Sequence, residues 1–194
     1  RTAPHRWLPY FHPDWRPSFT EQWYDPDQAW YVGSLARQAP EQGAYVEIGC
    51  WEGRSAVAIT QSISPRVLFC VDHWRGNEEE GDEESVALAK ERDIAATFKR
   101  NMALMAPDNW IQDRRDWREW IKTWDVPIAF LHLDAAHDEA SVRECLEAVK
   151  PYLVPNAILC GDDSYAPGVW SGARAALGDI QEVGGRLWVW QNTG

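Results

Sequence analysis

Several patterns are missing from this chain, and each absence removes a class of function. No apolar run approaches the roughly 20 residues that a membrane span needs, and no signal-peptide pattern opens the chain. Basic residues are in deficit, 19 Lys and Arg against 30 Asp and Glu, for a net charge of −11. A nucleic-acid partner is therefore not expected, because phosphate neutralisation needs clustered cations. The four cysteines (Cys50, Cys70, Cys145, Cys160) include no C-x-x-C pair, and three sit in or at the end of apolar runs. They read as small buried hydrophobes in a reducing, cytoplasmic setting, not as a zinc site. Nor is there a G-x-G-x-x-G turn for a dinucleotide pyrophosphate.

A different glycine turn stands in its place. Tyr45-Val46-Glu47-Ile48-Gly49-Cys50-Trp51-Glu52-Gly53-Arg54-Ser55 is a short apolar run, an acid, two glycines four apart, and small residues opening a helix. Such a strand, turn and helix N-terminus lets a small ligand approach the backbone closely. Bulk at Cys50-Trp51-Glu52 suits a nucleoside without phosphates, carrying an amino-acid tail whose ammonium matches Glu47. S-adenosylmethionine fits that description.

The 194 residues suffice for one domain with a full core. Residues 1–28 are rich in proline and aromatics without a clean period and read as an irregular arm, a lid or a partner-subunit contact. Helices are expected over Asp27–Gln38, Arg54–Ile63, Ser85–Met105, Trp117–Trp124, Glu139–Lys150 and Gly172–Ile180. Strands are expected over Ala44–Ile48, Arg66–Val71, Trp110–Ile111, Ile128–Leu133, Ala157–Cys160 and Arg186–Trp190. The acidic stretch Asn77–Glu84 reads as a solvated loop. Thirteen tryptophans crowd two stretches, Trp7–Trp30 and Trp110–Trp124. Packing is the favoured account, a platform for a sugar or flat acceptor the other. Strands apolar on both faces, alternating with helices, predict an α/β fold: a Rossmann-like, doubly wound, mostly parallel sheet with helices on both sides.

In such sheets ligands bind beyond the strand C-termini, so the polar residues there belong together. Asp72, 25 residues after Glu47, suits the ribose hydroxyls, with a helix N-cap as the alternative. Asp116 and Trp117 follow the third strand, toward the adenine. Asp134 and His137 follow the fourth strand, and Asp162-Asp163 the fifth. Three carboxylates at one pocket edge repel one another unless a cation sits among them, and oxygen donors select a hard ion such as Mg²⁺. His137, with an ordinary pKa near ~6.5, is a natural general base. Singly, these residues could equally cap turns or the helix that begins near Asp138.

Together these segments resemble the class I S-adenosylmethionine-dependent methyltransferases. The chain is most similar to the small bacterial group of macrocin- and mycinamicin-type sugar O-methyltransferases and cephalosporin-hydroxylase-like proteins. The resemblance spans roughly residues 28–180. It is carried by Val46-Glu47-Ile48-Gly49 with Gly53-Arg54-Ser55, by Val71-Asp72-His73-Trp74, by Leu133-Asp134-Ala135-Ala136-His137, by Leu159-Cys160-Gly161-Asp162-Asp163-Ser164-Tyr165, and by Gly168-Val169 running into Ala173. It implies that Glu47, Gly49, Cys50, Gly53, Ser55, Asp72 and Trp74 hold S-adenosylmethionine, with Asp116 and Trp117 near the adenine. It implies Mg²⁺ on Asp134, Asp162 and Asp163, and His137 as base. Other members carry an acid where this chain has Ala136, so that either His137 is the base or there is none. Val154-Pro155-Asn156 departs from the usual apolar-Gly-Gly turn. The expected partner is a small-molecule hydroxyl acceptor, a sugar or polyol-bearing natural product, with a homo-oligomer also expected. The rival readings are a hydroxylase-like or lyase metal enzyme on the same fold, and a non-catalytic S-adenosylmethionine-binding module.

Overall fold

A computed structural model describes residues 19–193 except 22 and 78–81. Most of the N-terminal arm and half of the acidic loop therefore lie outside the described residues. Helices are α1 (Pro26–Gln38), α2 (Arg54–Ile63), α3 (Glu83–Glu91), α4 (Ile94–Met105), α5 (Trp117–Ile121), α6 (Glu139–Val149) and α7 (Pro167–Leu177). Strands are β1 (Ala44–Ile48), β2 (Leu68–Val71), β3 (Trp110–Asp113), β4 (Ile128–Leu133), β5 (Leu153–Gly161), β6 (Gln181–Val183) and β7 (Leu187–Gln191).

The strands form one sheet in the order β3-β2-β1-β4-β5-β7-β6. β1 to β5 are parallel, while β7 runs antiparallel to both β5 and β6. Every residue of β1 and β4 is buried, because helices cover both faces. Tyr45, Cys70, Phe130 and Cys160 face α1, α2 and α4, where Val32, Ile59 and Phe98 close one core. Val46, Ile48, Val71 and Leu131 face α5, α6 and α7, where Trp120, Leu146 and Ala173 close the other. Trp117 and Trp120 are buried in this second core, with Trp124 packed against it, so the second tryptophan-rich stretch serves packing.

Chain order reverses between β1 and β4, which opens a crevice at their C-terminal ends. Asp134 N donates to Ile48 O at 2.8 Å there. Gly49 has φ +86°, and a Cβ on it would lie 2.1 Å from the Asp134 carbonyl oxygen. Only glycine permits both the left-handed backbone and that approach.

Besides end shifts of one to three residues, the elements differ from the sequence expectation in four places. The single helix over Ser85–Met105 is two, because Arg92 and Asp93 are non-helical and the Asp93 carboxylate accepts from Ala96 N to start α4. α7 begins at Pro167, whose fixed φ suits the first helical turn, and ends before Gly178 at φ +84°. β5 begins at Leu153, with Pro155 in its exposed first half. β6, which the sequence reading lacks, completes a hairpin with β7 through Gly184-Gly185-Arg186.

Candidate active site

A cavity of about 540 Å³ lies at the C-terminal ends of β1, β2, β4 and β5. Among the expected residues, Gly49, Cys50, Ser55, Asp72, Asp116, Trp117, Asp134, His137, Asp162 and Asp163 line it together. Glu47, Gly53 and Trp74 stand behind the lining. Gly49 and Asp163, 114 positions apart in sequence, thus line one cavity, as the parallel topology requires.

The glycine turn is built on Asp72. Its Oδ2 accepts from Cys50 N at 2.8 Å and Trp51 N at 3.0 Å, and its Oδ1 from Trp74 N at 2.6 Å. A carboxylate offers about four lone-pair sites, so roughly one remains for a ribose hydroxyl. Trp74 Nε1 donates to Trp51 O at 2.7 Å, and its ring lies 5.0 Å from Phe98. Trp74 therefore braces the turn from behind. Gly53, at φ +89°, starts α2 against Phe98. Trp51, Trp74 and Asp163, all at this site, are non-glycine residues with positive φ, the kind of strain that survives where surroundings overdetermine it.

Glu47 is fully buried. Its Oε1 lies 2.9 Å from His132 Nδ1, and its Oε2 has no hydrogen-bond partner among the described residues. Burial works against the His132 cation, but the Glu47 hydrogen bond and charge outweigh it and raise the His132 pKa. Beyond the end of β3, Asp116 lines the cavity and also caps α5 by accepting from Arg118 N at 2.8 Å. Arg118 stacks over the Trp117 ring at 4.6 Å.

The described part of the N-terminal arm roofs the cavity. Glu52 in the turn accepts from Thr20 N at 2.7 Å and Thr20 Oγ1 at 2.9 Å. Arg92 pairs with both Glu52 and Glu21, Trp51 Nε1 donates to Glu21 at 3.0 Å, and the Trp23 and Trp51 rings lie 5.5 Å apart.

Opposite the turn is the acidic edge. One ligand atom each from Asp134, His137 and Asp163 lies within 4.8 Å of the others, a carboxylate-imidazole set that suits a divalent ion. Burial and the Asp162 charge push Asp134 up to about 8. Burial and the Asp163 charge push Asp162 up to about 6. Burial also acts on Asp163, but hydrogen bonds from His137 and Tyr165 outweigh it and bring its pKa down to about 2. His137 Nε2 lies 2.9 Å from Asp163 Oδ2.

Asp162 is turned elsewhere. Its Oδ1 accepts from Gln28 Nε2 at 2.6 Å, and its Oδ2 lies 3.6 Å from Arg186. The same Gln28 side chain accepts from Asp25 N at 2.7 Å and closes the capping box of α1. Arg186 is also 2.9 Å from Asp163 Oδ1, and its guanidinium lies over the Tyr165 ring at 5.1 Å. Gln28, His132 and Arg186 had no role in the sequence reading. Only the lone polar residue in the apolar run of β4 marked any of them in advance.

Residues 46–164 match a family model described as a methyltransferase domain. No curated protein is similar enough in sequence to match. Among solved structures, the O-methyltransferase NovP superposes with a TM-score of 0.68 at 15% identity, over 87% of this chain and 80% of its own. TomG of Streptomyces achromogenes, an O-methyltransferase involved in tomaymycin synthesis and solved with S-adenosylmethionine, gives 0.63 at 18%, over 88% and 81%. CalS11, a calicheamicin methyltransferase, gives 0.59 at 19%, over 86% and 80%. These likenesses establish the fold.

Proposed function

The chain belongs to the methyltransferase-domain family, and from that premise we propose that it moves a methyl group from S-adenosylmethionine to a hydroxyl of a small metabolite, with a divalent ion such as Mg²⁺ at the acidic edge. The observation that carries this reading is the placement of the Asp72-braced glycine turn and the Asp134-His137-Asp163 cluster on one cavity. The neighbours point the same way: TomG was solved with S-adenosylmethionine, and CalS11 is described as a TDP-rhamnose 3'-O-methyltransferase. A sugar or other polyol-bearing natural product is the proposed acceptor class. Trp23 and Tyr165, exposed at the cavity lining, offer flat apolar faces to such a ring.

S-adenosylmethionine supplies a methyl group already activated by its sulfonium. Backbone around Gly49 and Cys50 and the last lone pair of Asp72 would hold the nucleoside, and Glu47 Oε2 would balance the ammonium at one remove. A divalent ion held by Asp134 and Asp163 would supply Lewis-acid polarisation of the acceptor hydroxyl. His137 Nε2 lies 2.9 Å from Asp163 Oδ2, a contact that orients the imidazole toward the acceptor as the proposed general base. His137 would take the acceptor hydroxyl's proton, while S-adenosylmethionine supplies the methyl group and its sulfur leaves as a neutral thioether. Phe19, Glu21, Trp23 and Tyr24 line the cavity and would keep water from the turn. Most of the acceleration comes from this positioning and from electrostatics. The four buried, free thiols support a reducing, cytoplasmic setting.

Calorimetric titration of S-adenosylhomocysteine into chelator-treated protein, with NAD⁺ as control, tests the cofactor half. Micromolar binding of the first alone is expected, and no binding would sink the reading. His137→Ala should retain that affinity and lose most turnover. Unchanged turnover would remove His137 from the reaction.

A further inference from the structure

A cation already stands at the acidic edge, and it belongs to the protein. Arg186 sits at the tip of the β6–β7 hairpin. The loop is tied to the acids, since Ser164 N donates to Arg186 O at 2.7 Å. Its guanidinium lies 2.9 Å from Asp163 Oδ1 and 3.6 Å from Asp162 Oδ2. Each oxygen of the acid pair thus already faces a partner: Asp162 faces Gln28 and Arg186, Asp163 faces His137 and Arg186.

A divalent ion cannot join this arrangement unchanged. Two cations sharing one carboxylate repel each other, and at close range in a partly desolvated site that repulsion is large. Gln28 is neutral and 2% exposed, locked between Asp25 and Asp162, so it has no reason to leave. His137 sits on the other Asp163 oxygen, Oδ2, at 2.9 Å. Arg186 is the group that conflicts with the ion. It also has somewhere to go, because its guanidinium already lies over the Tyr165 ring, which is 64% exposed at the rim. A cation on an aromatic face keeps part of its stabilisation without a carboxylate.

We propose that Arg186 is the internal counter-cation of the Asp162-Asp163 pair and must be displaced for a divalent ion to bind, so that Arg186 sets the metal affinity of the site. It is a positioning residue: it acts on the acids, not on the reacting atoms. Metal affinity is accordingly weak and the ion exchangeable. The proposal rests on the reading that this edge holds a divalent ion.

Mn²⁺ titration followed by the paramagnetic resonance signal of the free ion tests it on wild type, Arg186→Gln and Arg186→Lys. Melting curves and S-adenosylhomocysteine affinity verify that each variant is folded. Arg186→Gln should bind Mn²⁺ about tenfold more tightly or better, the order expected for removing one like charge. Arg186→Lys, which restores a charge, should fall back toward wild type. Equal or weaker Mn²⁺ binding by Arg186→Gln, with wild type binding, would overturn the competition and leave the metal reading intact. No Mn²⁺ binding by any of the three would overturn both, while S-adenosylhomocysteine binding would still stand.

Discussion

Replacing Asp134 by Asn in divalent-free protein should stabilise the fold at neutral pH and flatten its pH dependence. Asp134 is raised from 3.8 to about 8 by burial and the Asp162 charge. A carboxyl whose folded pKa is raised binds its proton more tightly in the native state. The stability tied to that proton is complete below about pH 4 and is lost as pH rises toward about 8. Between about pH 5 and 7 the unfolded side chain is ionised and the folded one protonated, so wild type loses at most about 1.4 kcal/mol per pH unit. Asp134 lines the cavity and is partly reached by water. Halving the ceiling for that screening leaves about 1 to 1.5 kcal/mol across the window. Asn keeps the shape and carries no charge. Urea unfolding of both proteins in chelator at pH 5, 6 and 7 should show the stability difference in favour of Asp134→Asn growing by that amount. Parallel curves, or a mutant that loses stability relative to wild type as pH rises, would refute the reasoning.

Two further substitutions test the turn. Asp72→Asn sets an amide N–H₂ or a single carbonyl against three backbone N–H donors, leaving donors unpaired, so a loss of about 2 kcal/mol is expected in denaturant unfolding. S-adenosylhomocysteine affinity should fall with it, and a mutant that binds normally would separate Asp72 from the cofactor. Gly49→Ala forces an alanine to φ +86° with its Cβ 2.1 Å from a carbonyl oxygen. A loss of at least about 3 kcal/mol or failure to melt cooperatively should appear by circular dichroism, and a near-normal melt would show that β1 and β4 can separate at the crevice.

Chemistry written locally was legible in the sequence. The doubly buried strands, the glycine turn, and acids at the ends of successive strands each depend on neighbours along the chain, and the parallel sheet follows from strand-helix alternation. The split between α3 and α4 was legible in principle, in Asp93 as an N-cap, but the apolar spacing on either side suggested continuity. Glu47 was harder. In a sheet buried on both faces the apolar pattern does not alternate, so nothing along β1 says which side Glu47 takes or that His132 waits there, 85 residues away.

What the sequence by itself determined is the frame: which segments are strands, and that carboxylates gather where β1, β2, β4 and β5 end. Only the tertiary structure decided how those carboxylates are spent. Gln28 meets Asp162 across 134 residues, and Arg186 meets Asp163 across 23 through a hairpin with no local hydrophobic signature. Side-chain partners of a charge are chosen by whatever the fold carries past it, and that choice has no period and no spacing to read.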